Sequence, residues 1–192
     1  NASIHTKLGL SRMITGNPEL AITQLEAAVS LNSSQHDADT ALVLALLKNK
    51  EYDKALAAIG NLEKKLPRSP ITHNLRGRAY LGKGDFPKAR LSFELALVIE
   101  PTYFPAAASL AQLDMLDKKP EAARKRFEQL LEKDKSNLDA MLALATAMRQ
   151  LLATREKRLA ALAHLLDSVS PLSTLARGYA IVSDAEGRVL RA

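Results

Sequence analysis

Apolar, small and polar positions recur along most of the chain with a period of 34 residues. Ala21, Ala55, Ala89 and Ala123 form one column. Four residues after each stands a large apolar side chain: Leu25, Ile59, Phe93 and Phe127. Three further on come Ala28, Leu62, Ala96 and Leu130. Thirteen residues before each Ala lie Leu8, Leu42, Arg76 and Leu110, each followed by a small or slim residue: Gly9, Val43, Gly77 and Ala111. Within each unit the apolar spacing is helical, so each unit predicts two short antiparallel helices. The small residue of the first helix (A) and the Ala of the second (B) sit where backbones approach, and the large residue fills the space beside them. One such pair cannot bury its apolar face alone, so the copies must stack.

The spacing predicts A helices over 3–15, 37–49, 70–82 and 104–117, and B helices over 18–31, 52–65, 86–99 and 120–133. Gly16-Asn17-Pro18, Lys50-Glu51-Tyr52, Gly84-Asp85-Phe86 and Lys119-Pro120-Glu121 are read as the turns between them. Pro67 and Pro101 end their B helices, because proline cannot continue a helix. Gly77, Tyr80, Ala89, Phe93 and Pro101 reproduce the G-x-x-Y, A-x-x-x-F and P elements of the tetratricopeptide repeat, or TPR. We therefore expect an all-α TPR solenoid of about four repeats, at 2–35, 36–69, 70–103 and 104–137, within a domain of 1–136. A fifth A-type helix starts near Asn137.

Four segments sharpen the resemblance: Tyr52 to Ile59, Thr72 to Lys83, Glu100 to Ala107 and Pro120 to Glu128. Residues 1–147 resemble the TPR lipoproteins associated with PEP-CTERM/exosortase systems of Gram-negative bacteria. Those proteins are exported repeat arrays linked to exopolysaccharide or sorting loci, so the resemblance implies an exported or periplasmic setting.

After Met148 the repeat should turn, and no Gly, Asp or Pro appears before Asp167. Met148, Leu152, Arg155, Leu159, Leu162 and Leu166 step alternately by four and three residues, the spacing of a coiled-coil seam. We read one helix over 137–168, with Leu152, Leu159, Leu162 and Leu166 as a self-association surface giving a homodimer. Ser170-Pro171 then starts a short helix that Gly178 ends, and Tyr179–Val182 and Arg188–Arg191 read as a β-hairpin. Arg158 to Asp167 and the Ser-Pro-Leu…Arg-Gly-Tyr-Ala run of 170–180 resemble the C-terminal end of the exonuclease VII large subunit. This likeness covers about 149–192, implies a cytoplasmic setting, and leaves out that family's nucleic-acid-binding and catalytic domains. No catalytic residue carries over. Two families meeting inside one helix near 146–150 point to an engineered fusion, with a natural gene fusion as the alternative.

Composition narrows the chemistry further. The net charge of +6 divides as 20 basic against 16 acidic residues in 1–137 and 7 against 5 in 138–192. A nucleic-acid footprint is clustered, and this excess is diffuse. The chain has no Cys, so it has no thiolate nucleophile or Cys-ligated metal. No apolar run approaches the roughly 20 residues of a membrane span. The start shows no basic stretch followed by an apolar one, and reads as a segment from within something longer. His5, His36, His73 and His164 share no metal-ligand spacing, and Asp114, Asp117 and Glu121 read as a solvated corner. We expect no enzyme activity and no cofactor.

By register, Thr6, Leu10, Met13, Thr40, Leu44, Leu47, Asn74, Arg78, Leu81, Ala108, Gln112 and Met115 line the concave face. The reading is a groove for a partner's peptide or helix, with Asn74, Arg78 and Gln112 as polar anchors. TPR domains that clamp a terminal carboxylate place Lys and Asn where Thr6 and Leu10 stand here, so that ligand is not expected. The rival reading is an accessory fragment of exonuclease VII that associates with nucleic acid.

Overall fold

The computed structural model describes residues 1–31 and 36–169, together with the backbone of two short strands near the C-terminus. Contacts divide the chain into two units, Asn1–Ala147 and Met148–Ala192. Among the described residues the helices are α1 (Ala2–Ile14), α2 (Pro18–Leu31), α3 (Asp37–Lys48), α4 (Tyr52–Lys65), α5 (Pro70–Lys83), α6 (Phe86–Ile99), α7 (Phe104–Leu116), α8 (Pro120–Lys133) and α9 (Leu138–Val169). Their ends fall within a residue of the spans the spacing predicts. The strands β1 (Val182–Ser183) and β2 (Val189–Leu190) pair antiparallel, Val182 opposite Leu190. The short helix expected after Ser170 lies outside the described residues.

In the first unit each helix packs on its neighbours in sequence, and α3 also touches α1 and α5. The Ala column is the floor of this packing: Ala21, Ala55 and Ala89 are fully buried and Ala123 nearly so. Size complementarity then sets each repeat. Phe93 is fully buried against Gly77, where an added Cβ would meet three ring carbons at 2.5, 2.6 and 2.8 Å. Gly9 takes Leu25 in the same way. Val43 and Ile59 share a cluster in the second repeat, and Ala111 and Phe127 share one in the fourth. The Arg that breaks the Leu column is also explained. Where Leu42 packs with Val29 and Leu110 with Leu97, Arg76 meets Glu63 instead, Nη2 to Oε2 at 2.5 Å. An ion pair replaces an apolar pair at the same place in the repeat.

The turns between helices A and B share one geometry. Gly16 (φ 81°), Lys50 (φ 61°), Gly84 (φ 78°) and Lys118 (φ 59°) are left-handed. The next residue's N–H donates back across the turn: Asn17 to the Arg12 carbonyl at 2.9 Å, Glu51 to Leu46 at 2.9 Å, Asp85 to Tyr80 at 2.9 Å and Lys119 to Asp114 at 2.8 Å. This is the Schellman closure of a helix. It corrects the fourth turn, which is Lys118-Lys119-Pro120, one residue before the expected Lys119-Pro120-Glu121. At the other end of the pair, Leu66 and Glu100 are pulled out of the helical region (φ −128° and −135°), as residues preceding proline are.

In the second unit α9 carries its apolar stripe in solvent. Leu152, Leu159, Leu162 and Leu166 are 57%, 67%, 49% and 69% exposed. No described helix is long and apolar enough to cross a membrane.

Candidate functional site

A helices of successive repeats place equivalent residues side by side, because the period is constant and α1, α3 and α5 touch. At the first three repeats this builds a cavity of about 520 Å³. Its wall takes Met13 from α1, Leu44, Leu47 and Lys48 from α3, Tyr52 from α4, and Arg78, Leu81 and Gly82 from α5. Five of the residues read as groove lining therefore meet at one cavity: Met13, Leu44, Leu47, Arg78 and Leu81. Lys48, Tyr52 and Gly82 complete it and were not foreseen: Tyr52 lies on helix B, and Lys48 and Gly82 lie on helix A one position beyond Leu47 and Leu81. Tyr52 opens helix B, and its ring lies so close to Gly82 that any side chain there would overlap it. The available signal was Gly82 itself, an otherwise costly residue inside a helix.

The cavity's charge is one-sided. Lys48 Nζ donates to the Met13 carbonyl at 2.7 Å, tying α3 to α1. Arg78 is exposed, and among the described residues no hydrogen bond or ion pair engages it. Its charge is felt at Tyr103. Burial, then Glu100, push that hydroxyl's pKa up, and Arg78 partly opposes them. No carboxylate lines the cavity.

The remaining groove positions lie elsewhere. Leu10 and Met115 are exposed at 42% and 36%, and Gln112 is exposed. The hydroxyls of Thr6 and Thr40 are turned back onto their own helix, to the Ala2 carbonyl at 3.0 Å and the His36 carbonyl at 2.9 Å. Ala108 is half-buried. Asn74 departs from its reading as an anchor: it is only 6% exposed, and its Oδ1 finds no partner among the described residues.

Asp114 is a correction. It is no solvated corner but is 3% exposed, held by two cations from neighbouring helices. Arg90 Nη1 donates to its Oδ1 at 2.7 Å, and Arg126 Nε donates to its Oδ2. Arg90 also reaches Asp117 Oδ2 at 3.0 Å. Burial works to raise the Asp114 pKa, but the hydrogen bonds from Arg126 and Arg90 outweigh it and hold the carboxyl below its usual value. With both oxygens engaged by guanidinium groups, Asp114 cross-links the third and fourth repeats. Among the described residues no group of His, Asp and Glu has the arrangement of a metal site. His5 Nδ1 lies 2.8 Å from Gln24 Oε1, and His36 lies 3.3 Å from Asp37.

Sequence comparison decides the family. The family model for the exonuclease VII large subunit matches residues 22–192. The chain belongs to the exonuclease VII large-subunit family. That match begins inside α2, so it runs through the repeats as well as the tail to which the motifs pointed. The exodeoxyribonuclease 7 large subunit of Hahella chejuensis is 46% identical over 48 residues, 25% of this chain and 11% of that protein. The chain thus spans about a tenth of the length of this curated relative. The heat-shock cognate co-chaperone sgt12 of Aspergillus fumigatus is 34% identical over 90 residues, 46% of this chain and 26% of that protein. Among solved structures, MamA superposes with a TM-score of 0.60 at 24% identity, covering 72% of this chain and 81% of MamA. The pilF protein of Pseudomonas aeruginosa gives 0.61 at 21% identity, covering 82% and 72%. These likenesses establish the TPR fold.

Proposed function

We propose that this chain is a non-catalytic protein-binding scaffold that takes a partner's peptide or helical segment along the A-helix face of its repeats. One observation carries the reading. Met13, Leu44, Leu47, Arg78 and Leu81, drawn from three successive repeats, surround one cavity of about 520 Å³. Apolar walls with two basic groups, of which Lys48 is held by the Met13 carbonyl, suit recognition of a side chain within a segment. Random 12-residue peptides displayed against the protein test it. Binders that lose binding to the Leu44→Asp variant support the groove. If every binder selected is indifferent to that change, the groove is not a binding site.

A second reading is an accessory fragment of the exonuclease VII large subunit that associates with nucleic acid. The family match over residues 22–192 and the Hahella similarity favour it. Labelled single-stranded DNA separates the two readings. Binding that weakens steeply with salt supports the accessory role, and DNA cleavage in Mg²⁺ that follows the protein through purification refutes a non-catalytic one. The proposal also includes a homodimer through Leu152, Leu159, Leu162 and Leu166. Descent of residues 1–147 from exported PEP-CTERM repeat lipoproteins, fused to an exonuclease VII tail, is a proposal about origin. The two halves encoded apart in a genome would support it.

A further inference from the structure

We infer that the segment taken by the cavity carries a large aliphatic side chain next to an internal Asp or Glu, and that Arg78 selects the acid. The inference rests on the groove reading above and names its ligand. The aliphatic requirement comes from Met13, Leu44, Leu47 and Leu81, which supply apolar walls that only an apolar side chain can cover without losing hydrogen bonds to water. The acid requirement comes from charge. Arg78 is exposed and unpaired among the described residues, whereas Lys48 in the same cavity and Arg76 and Lys83 on the same helix are engaged. Arg76 is held by Glu63 at 2.5 Å, Lys83 by Asp53 at 2.5 Å, and Lys48 by the Met13 carbonyl at 2.7 Å. The cavity's lining offers no carboxylate of its own. A guanidinium left open beside an apolar pocket matches a carboxylate through two parallel hydrogen bonds, geometry that a neutral amide or a lysine does not reproduce.

The acid is internal because the surface does not stop at the cavity. The same columns continue through exposed Leu10 on one side and exposed Met115 on the other, so a segment seated here runs on in both directions. The order of effects follows. Apolar burial supplies the attraction and the ion pair supplies the discrimination, since charge complementarity sets specificity more than raw affinity.

The test uses the same display of 12-residue peptides, each held between two linkers so that no terminal carboxylate is free. It is run on the full chain and on Arg78→Gln, an exposed change whose folding is checked by its melting curve. Peptides dependent on Leu44 are expected to show Asp or Glu beside Leu, Ile, Met or Phe. Replacing that acid by its amide is expected to weaken binding about tenfold to the unmodified chain and hardly at all to Arg78→Gln. The tenfold difference is also expected to shrink in high salt. Leu44-dependent peptides that are neutral or basic, or amide replacement that weakens both proteins equally, overturn the inference and leave the groove reading standing. If no selected peptide depends on Leu44, the groove reading fails and the inference fails with it.

Discussion

Replacing Gly77 by Leu tests the register of the whole array at one point. Gly77 lies on α5 with Phe93 of α6 directly across from it. The first carbon of any side chain would fall 2.5–2.8 Å from three atoms of the Phe93 ring. That ring is fully buried, so it has no free volume to move into. Overpacking of this kind costs about 1–3 kcal/mol. Helix propensity works the other way, since Leu is better than Gly in a helix by somewhat less than about 1 kcal/mol. A matched control removes that second effect. Gly60 is also helical, in α4, and an added Cβ there meets nothing within 4 Å. Gly60→Leu is therefore expected to be neutral or slightly stabilising, and the difference between the two variants reports overpacking alone, at about 1–3 kcal/mol. In thermal melts followed by far-ultraviolet circular dichroism this amounts to roughly 2–4 °C for each kcal/mol in a unit of this size. Removing the obstruction should rescue the loss. Gly77→Leu combined with Phe93→Ala is expected to be less destabilised than the two single changes added together, by about 0.5–3 kcal/mol. Equal melting of Gly77→Leu and Gly60→Leu, or strict additivity in the double variant, would refute the proposed contact and with it the alignment of the repeats.

Three further outcomes are expected. Lys50→Gly and Lys118→Gly should each raise stability by about 0.5–1 kcal/mol in denaturant titrations, because both lysines occupy the left-handed turn position that glycine fills in the first and third repeats; unchanged midpoints would count against that turn geometry. Asp114→Asn should cost about 3 kcal/mol at pH 7, as removal of a buried charge partner does. The folded Asp114 carboxyl lies below its ordinary value, so its contribution is complete above about pH 4 and fades as pH falls through the folded pKa; a deficit that persists undiminished into strong acid would contradict the ion-pair account. Leu159→Glu with Leu162→Glu should leave the repeats folded and abolish self-association in sedimentation experiments. An unmodified chain that sediments as a monomer at tens of micromolar refutes the homodimer.

The sequence by itself determined the elements and their register. A period of 34 residues repeated four times leaves little freedom, because each helix pair must bury the same face against the next. The pairing of Gly77 with Phe93 was legible in this way, as was the continuation of α9 past the point where the repeat should turn. Only the tertiary structure decided what depends on side chains from different repeats. Asp114 reads as an ordinary surface acid along its own helix, and becomes a buried cross-link because Arg90 and Arg126 arrive from α6 and α8. Tyr52 completes the cavity because Gly82, 30 residues later, leaves room for its ring. Asn74 shares a column with the half-buried Thr6, Thr40 and Ala108 and is itself buried. Periodicity records which face a residue is on, whereas depth on that face and the choice of partner are set by the sizes and charges of neighbours distant in sequence.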